Sequence, residues 1–253
     1  MGHIICIGSQ KGGVGKTTTA VNLSAAFAIA EKKTLLIDSD PQGHATIGIG
    51  IDNMKVRKTL YHGLIGGAIL DELIIDSDID SLKIIPARME LIRADSELIS
   101  RPGKERVLRN LLNDLRDRYD YIIIDCPPSL SLLTVNAITA ADSLLIPLQC
   151  EFYAVEGLGR LLKFFQIFKK GFNPGIEIEG ILLTMFTPNE EVSRQIAKDA
   201  RNNFKDLLFK TVIPRNQHLR ESACHGKPLL LRDIKSVGAR CYLELAKEIM
   251  GEE

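Results

Sequence analysis

The feature that most constrains this chain is Lys11-Gly-Gly-Val-Gly-Lys-Thr-Thr18, which follows the apolar run His3-Ile-Ile-Cys-Ile-Gly8. An Ala-rich segment from about Lys16 to Glu31 comes next, apolar at helical spacing. A buried strand, a glycine loop and a helix start in this order form a phosphate-binding loop. Small residues let backbone N–H groups converge on phosphate oxygens, and the helix N-terminus adds its dipole. Lys16 is expected near the β and γ phosphates, and Thr17 is expected to place its hydroxyl on Mg²⁺. Gly12, Gly13, Val14, Gly15 and Thr18 complete the expected nucleotide cradle.

The loop departs from the common GxxxxGK[ST] pattern at its first position, where Gln10 stands and Lys11 follows. The loop therefore carries two lysines. Lys16 serves its own nucleotide, while Lys11 is free to contact phosphate in the same site or in a facing one.

The rest of the chain continues the βαβ beginning. Thr34-Leu-Leu-Ile-Asp38 and Tyr121-Ile-Ile-Ile-Asp125 are short apolar runs that each end in a carboxylate. Further strands are expected at 82–86, 144–148 and 178–185, and helices at 104–118, 155–170, 192–209 and 237–250. Continuous apolar strands alternating with helices predict an α/β fold, a mostly parallel sheet with helices on both faces. No linker, internal repeat or low-complexity tract divides residues 1–253, so one P-loop domain is expected. Segment 48–80 is the least regular and reads as a peripheral loop-and-helix excursion. Strand-end carboxylates lie at the edge where open α/β sheets bind ligands. Asp125 is expected to hold the metal shell in the Walker-B manner. Asp40, in Asp38-Ser-Asp-Pro-Gln-Gly43, is a candidate to orient the attacking water. Asp38 is expected near the metal or the loop.

Composition excludes several classes. Lys plus Arg is 32 and Asp plus Glu is 32, which argues against a dedicated, strongly basic nucleic-acid binder. The five cysteines are dispersed without a CxxC pair, as suits a reducing cytoplasm. No signal peptide is recognisable and no apolar run has membrane-spanning length. The last residues, 245–253, close a helix with acidic side chains and carry no basic amphipathic extension, so no membrane partner is expected.

These motifs together resemble the ParA family, within the wider class that includes MinD and the nitrogenase iron protein. Lys11–Thr18 resembles the deviant Walker A box, Asp38–Thr46 the switch I region, and Asp125-Cys-Pro-Pro-Ser-Leu130 the Walker B and switch II region. Gln149–Gly157 and Val212-Ile-Pro-Arg-Asn216 are similar to stretches of the Soj-like chromosomal members. The resemblance implies an ATP- and Mg²⁺-dependent hydrolase that closes as a homodimer around two nucleotides. In that dimer Lys11 would reach the partner's phosphates, as an arginine finger does in trans. It also implies adenine contacts at Pro214 and Asn216, slow hydrolysis stimulated by a ParB-like protein, and non-specific DNA binding. The iron-protein variant would need a second cysteine suitably placed beside Cys126 at the dimer face, and the sequence offers none.

Residues 194–240 hold 11 Lys plus Arg against 4 Asp plus Glu. Arg194, Arg201, Arg215 and Arg220 are the candidate DNA contacts, of a kind that neutralises phosphates without reading bases. Two departures stand against the Soj-like pattern: His218 where an arginine is usual, and Thr187-Pro-Asn-Glu-Glu191 in a loop that usually carries one. A positioning ATPase that acts on a protein surface, or a MinD-like one on a membrane, is the alternative.

Overall fold

A computed structural model describes residues 1–151 and 154–252 of the chain. Its strands are β1 His3–Ile7, β2 Thr34–Asp38, β3 Ile75–Asp76, β4 Leu82–Ile85, β5 Tyr121–Asp125, β6 Ser143–Gln149, β7 Glu177–Phe186 and β8 Leu208–Pro214. The α-helices are α1 Lys16–Ile29, α2 His44–Gly48, α3 Leu60–Ile65, α4 Ile92–Leu98, α5 Val107–Leu112 and α6 Leu132–Ala140. They continue with α7 Ala154–Gly171, α8 Glu191–Phe204, α9 Gln217–Cys224, α10 Leu229–Arg232 and α11 Val237–Met250. The strands form one sheet in the order β3-β4-β2-β5-β1-β6-β7-β8. All pairings are parallel except β3 with β4.

Strand residues alternate between two buried faces. Ile4, Cys6, Leu35, Ile37, Ile122 and Ile124 join one core, while Ile5, Ile7, Leu36 and Ile123 join the other. A period of two with both faces apolar is what parallel strands between helix layers require. α1 is buried on almost every side, from Thr19 to Ala28. Its alanines allow close approach of α11 and β2, and Phe27 stacks on Tyr121 with ring centroids 4.0 Å apart.

Several expected elements differ. The amphipathic stretch 104–118 is broken into 3₁₀ turns on either side of α5. The helix expected over 192–209 ends at Phe204, and Leu208 and Phe209 open the edge strand β8 instead. Apolar spacing alone does not distinguish the end of a helix from the start of a short strand. α6 has no exposed polar face, because Thr134, Asn136 and Thr139 are buried along with Leu133, Ala137, Ile138 and Ala140, so it lacked the amphipathic signature. Segment 48–80 carries α3 and the antiparallel strand β3. Pro147 lies inside β6, but the pairing with β1 stops at Ile7↔Leu145. The missing N–H therefore falls where the central neighbour has ended.

At the amino edge of the sheet, His3 Nε2 lies 2.7 Å from Glu179 Oε2 and 3.1 Å from the Ser143 hydroxyl. Ser143 also donates to Glu179. The hydrogen bond to Glu179 raises the His3 pKa, against burial and with help from Asp142, while Arg116 opposes it weakly. Burial pulls the Glu179 pKa up, but the bonds from His3 and Ser143 and the His3 charge outweigh it and leave it lowered. A histidine whose folded pKa exceeds its unfolded value stabilises fully below the unfolded value, near 6.5. That contribution is lost as pH rises through the folded value. The urea midpoint of the wild type should therefore fall as pH rises above about 6.5. His3→Gln should flatten that decline; a variant with the same pH slope would assign the slope to other groups.

Candidate nucleotide site

The site is set by strand register. Ile7 pairs with Asp125, and Asp125 pairs with Asp38. The exit of β1 into the glycine loop and both strand-end carboxylates thus share one level of the sheet. Neighbouring strands lie about 4.8 Å apart, so Asp38 and Asp125 are close buried like charges.

Gly13 (φ 75°) and Gly15 (φ 93°) take left-handed conformations that side chains disfavour. A Cβ on Gly12 or Gly13 would meet nothing within 4 Å. Glycine therefore suits the backbone conformation at Gly13, and both positions leave the space above the loop open. Val14 is buried and anchors the loop, and its carbonyl accepts a bond from Thr184 Oγ1 at 2.9 Å. Gly15 is the N-cap of α1 and supplies no side-chain cap, leaving the first-turn N–H groups without a side-chain partner. Lys16 is buried, and its Nζ donates to the Lys11 carbonyl at 3.0 Å. Burial lowers its pKa, with Asp125, Cys126 and Asp40 pulling the other way.

Both Asp125 oxygens are buried and meet no donor in hydrogen-bond geometry. Burial, then the Asp38 charge, holds its pKa well above the usual carboxylate range; Thr17 and Lys16 pull it down, Asp40 pushes it up. A buried carboxylate with idle oxygens beside a threonine hydroxyl is a hard-oxygen donor set that fits Mg²⁺. Asp38 differs. Its Oδ2 accepts from Thr46 N at 2.8 Å and Thr46 Oγ1 at 2.7 Å, and its Oδ1 accepts from Asp40 N at 3.1 Å. Burial raises its pKa to about 6 despite those bonds. Its oxygens are engaged in holding loop 40–46, a use that the strand-end pattern did not reveal.

The cleft above the loop has a volume of about 540 Å³ and is lined by Gly12, Gly13, Gly15, Lys16, Thr17, Thr18 and Asp40. Pro41, Gln42, His44 and the Pro127–Ser129 turn, from the two stretches that resemble switch regions, also line it, while sequence reading missed Ile92, Asp95, Ser131, Leu133 and Met185. The prolines follow directly from the Asp125 motif, but Ile92 and Asp95 come from α4 and carry no local signal. An adjoining pocket of about 360 Å³ is lined by Thr184, Met185, Ile213, Pro214, Arg215, Asn216, Leu219 and Tyr242. Pro214 and Asn216 thus lie in a largely apolar chamber beside the phosphate cleft, with Gly15, Thr18 and Met185 common to both.

Lys11 is exposed, and its Nζ pairs with Glu151 Oε2 at 3.1 Å. Glu151 also faces Arg215 at 3.9 Å and accepts from Gln149. Arg215 lines the apolar chamber. Arg194 and Arg201 lie exposed on α8, away from its buried face of Ser193, Ile196, Ala197 and Ala200. The Arg220 side chain lies outside the described residues. Cys126 is buried, 3.0 Å from the buried Cys6 sulfur. Its hydrogen bond with Cys6, together with burial, raises the thiol pKa well above the ordinary value.

A family model described as an AAA domain matches residues 2–178. The chromosome partitioning protein ParA of Myxococcus xanthus is 48% identical over 250 residues, covering 99% of this chain and 88% of that one. The sporulation initiation inhibitor protein Soj of Bacillus subtilis is 47% identical, covering 98% of each chain. This chain belongs to the ParA/Soj family of ATPases. Among solved structures, cobyrinic acid a,c-diamide synthase of Mycobacterium smegmatis, with bound ATP analogue and magnesium, superposes with a TM-score of 0.85. The two share 32% identity over 98% of this chain and 93% of that one. The ParA/Soj assignment makes the chain an ATP hydrolase and matches the strand-loop-helix geometry around Lys11–Thr18.

In this ParA/Soj chain Thr46 ties switch loop to sheet, since its hydroxyl also accepts from Ala87 N at 3.0 Å. Thr46→Val removes a donor to Asp38 and leaves a buried N–H unpaired. The expected loss is about 1–3 kcal/mol of unfolding free energy, read by urea denaturation. Thr46→Ser should recover most of it; a Val variant as stable as wild type would mean that other contacts hold the loop.

Proposed function

We propose that the chain is a nucleotide-switched dimer that binds ATP with Mg²⁺, hydrolyses it slowly, and uses the cycle to hold and release DNA. The observation that carries this reading is the idle, buried Asp125 carboxylate beside a glycine loop whose approach is open. Thr17 and Asp125 would hold the metal, which would offset the charge of the phosphates. Loop N–H groups from Gly12 to Thr18 cradle the phosphates. Lys16, now resting on the Lys11 carbonyl, has a short reach to the same space. Asp40 lines the cleft with its Oδ1 fixed by Gln42 N at 2.9 Å. That leaves Oδ2 to orient water. Asp38 acts by holding Asp40's loop. Pro214 and Asn216 line the base chamber.

Lys11 sits exposed at the rim and is held only by a surface ion pair, a weak interaction. It is therefore free to exchange Glu151 for phosphate presented by a facing copy. Differential affinity of ATP for the closed dimer makes the nucleotide a population switch. Arg194, Lys198 and Arg201, with Lys205 one turn on, form an exposed basic stripe along α8 and make no ion pair among the described residues. Such a stripe suits backbone phosphates. Arg215 and Arg220 are the further candidate DNA contacts. The proposed partners are a second copy, a ParB-like stimulator and non-specific duplex DNA, in a cytoplasmic, nucleoid-bound cycle.

Lys16→Ala should abolish productive ATP binding, measured by titration calorimetry; unchanged affinity would remove Lys16 from the phosphate site. Asp40→Ala should retain ATP, stop phosphate release and accumulate dimer on size exclusion. Normal turnover in that variant would place water activation elsewhere. Duplex binding should require ATP and weaken steeply with salt, and Arg194→Glu with Arg201→Glu should abolish it. ATP-dependent dimerisation without any DNA binding would direct the search to a protein surface.

A further inference from the structure

Met185 has an unusual backbone. Among the described residues only Glu31 and Met185 are non-glycine residues with positive φ. Glu31 lies just beyond the end of α1, where such a conformation is ordinary. Met185, at φ 53°, lies inside β7. The β7–β8 ladder explains it. Leu183 pairs with Val212 and Phe186 with Pro214, so three steps along β7 oppose two along β8. One extra residue is inserted, which is a β-bulge, and bulges beside active sites re-aim side chains.

The bulge is held at both ends. Before it, Thr184 Oγ1 bonds the Val14 carbonyl of the phosphate loop at 2.9 Å. After it, Phe186 O accepts from Arg215 N at 3.0 Å, next to Asn216. Between these anchors the half-buried Met185 lines both the phosphate cleft and the apolar chamber. A left-handed conformation is costly for a residue of this size and persists only where its surroundings impose it. A regular strand would remove the extra residue from the wall between the two spaces.

We infer that Met185 is a nucleoside-positioning residue, aimed by the β7 bulge to pack its thioether against the base of bound ATP and fix the base relative to the phosphates. The inference rests on the reading of the apolar chamber as the base pocket. Thioethers are polarizable and make favourable contacts with aromatic rings. The chemistry selects a planar aromatic base joined to a polyphosphate, and it predicts that Met185 contributes to ATP affinity but not to affinity for polyphosphate alone.

The test is calorimetric titration of the full chain with Mg²⁺–ATP and with Mg²⁺–tripolyphosphate. Met185→Gly suits the left-handed backbone and removes the side chain. Met185→Asn, also tolerated there, serves as a second truncation should the glycine variant misfold, with thermal melts reporting the fold. Both should lose about tenfold in ATP affinity, equivalent to ~1.4 kcal/mol, with tripolyphosphate affinity unchanged. Met185→Leu keeps apolar volume and should stay within about threefold of wild type. Unchanged ATP affinity in the folded Gly and Asn variants would overturn the inference. So would a parallel loss for both ligands, which would make the bulge a support of the phosphate loop. A wild type that binds ATP no better than tripolyphosphate would instead overturn the base-pocket reading itself, and the inference with it.

Discussion

The register of three central strands governs the rest of the molecule. Because Ile7, Asp125 and Asp38 share one level, the phosphate loop, the idle carboxylate and the switch loop begin side by side. A slip of one residue would send each carboxylate to the opposite face of the sheet. The apolar alternation of β1, β2 and β5 prevents that slip. Ile4 and Cys6 belong to one core and Ile5 and Ile7 to the other, so each strand is fixed by burial on both sides.

That alignment concentrates charge in a buried place, and the structure treats the two carboxylates differently. Asp38 takes hydrogen bonds from Thr46 and Asp40 and becomes part of the scaffold. Asp125 takes none in proper geometry and is destabilised as an anion by burial and by Asp38. A cation bound there would offset that repulsion. Lys16 acts on Asp125 as a cation, but its own charge is opposed by burial. The rim is organised in the opposite way: Glu151 accepts from Gln149 and is shared between the exposed Lys11 and Arg215, ion pairs that exchange at little cost.

The switch loop also touches the carboxyl-terminal segment. Gly50 and Gly226 both have positive φ, and a Cβ on Gly226 would stand 2.9 Å from the Ile47 carbonyl. Backbone packs directly on backbone there, and Asn22 of α1 accepts from Leu229 N at 2.8 Å. Loop 38–50 and the segment that follows α9 are therefore in direct contact.

The sequence by itself determined the parallel α/β sheet, the phosphate loop and the two carboxylate-ended strands. These depend on local rules: apolar runs bounded by glycine, a helix start after the loop, and charge at a strand end. It did not determine which carboxylate would be free. That depends on Thr46, eight residues beyond Asp38, folding back onto one oxygen. Nor did it show Ile92 and Asp95 at the cleft, α6 as a mostly buried helix, or the bulge at Met185, since each results from packing between distant segments. Edge strand β8 merged into the expected helix because a short apolar run has no period of its own. Local chemistry wrote the motifs, while long-range register decided which of their atoms are left to bind.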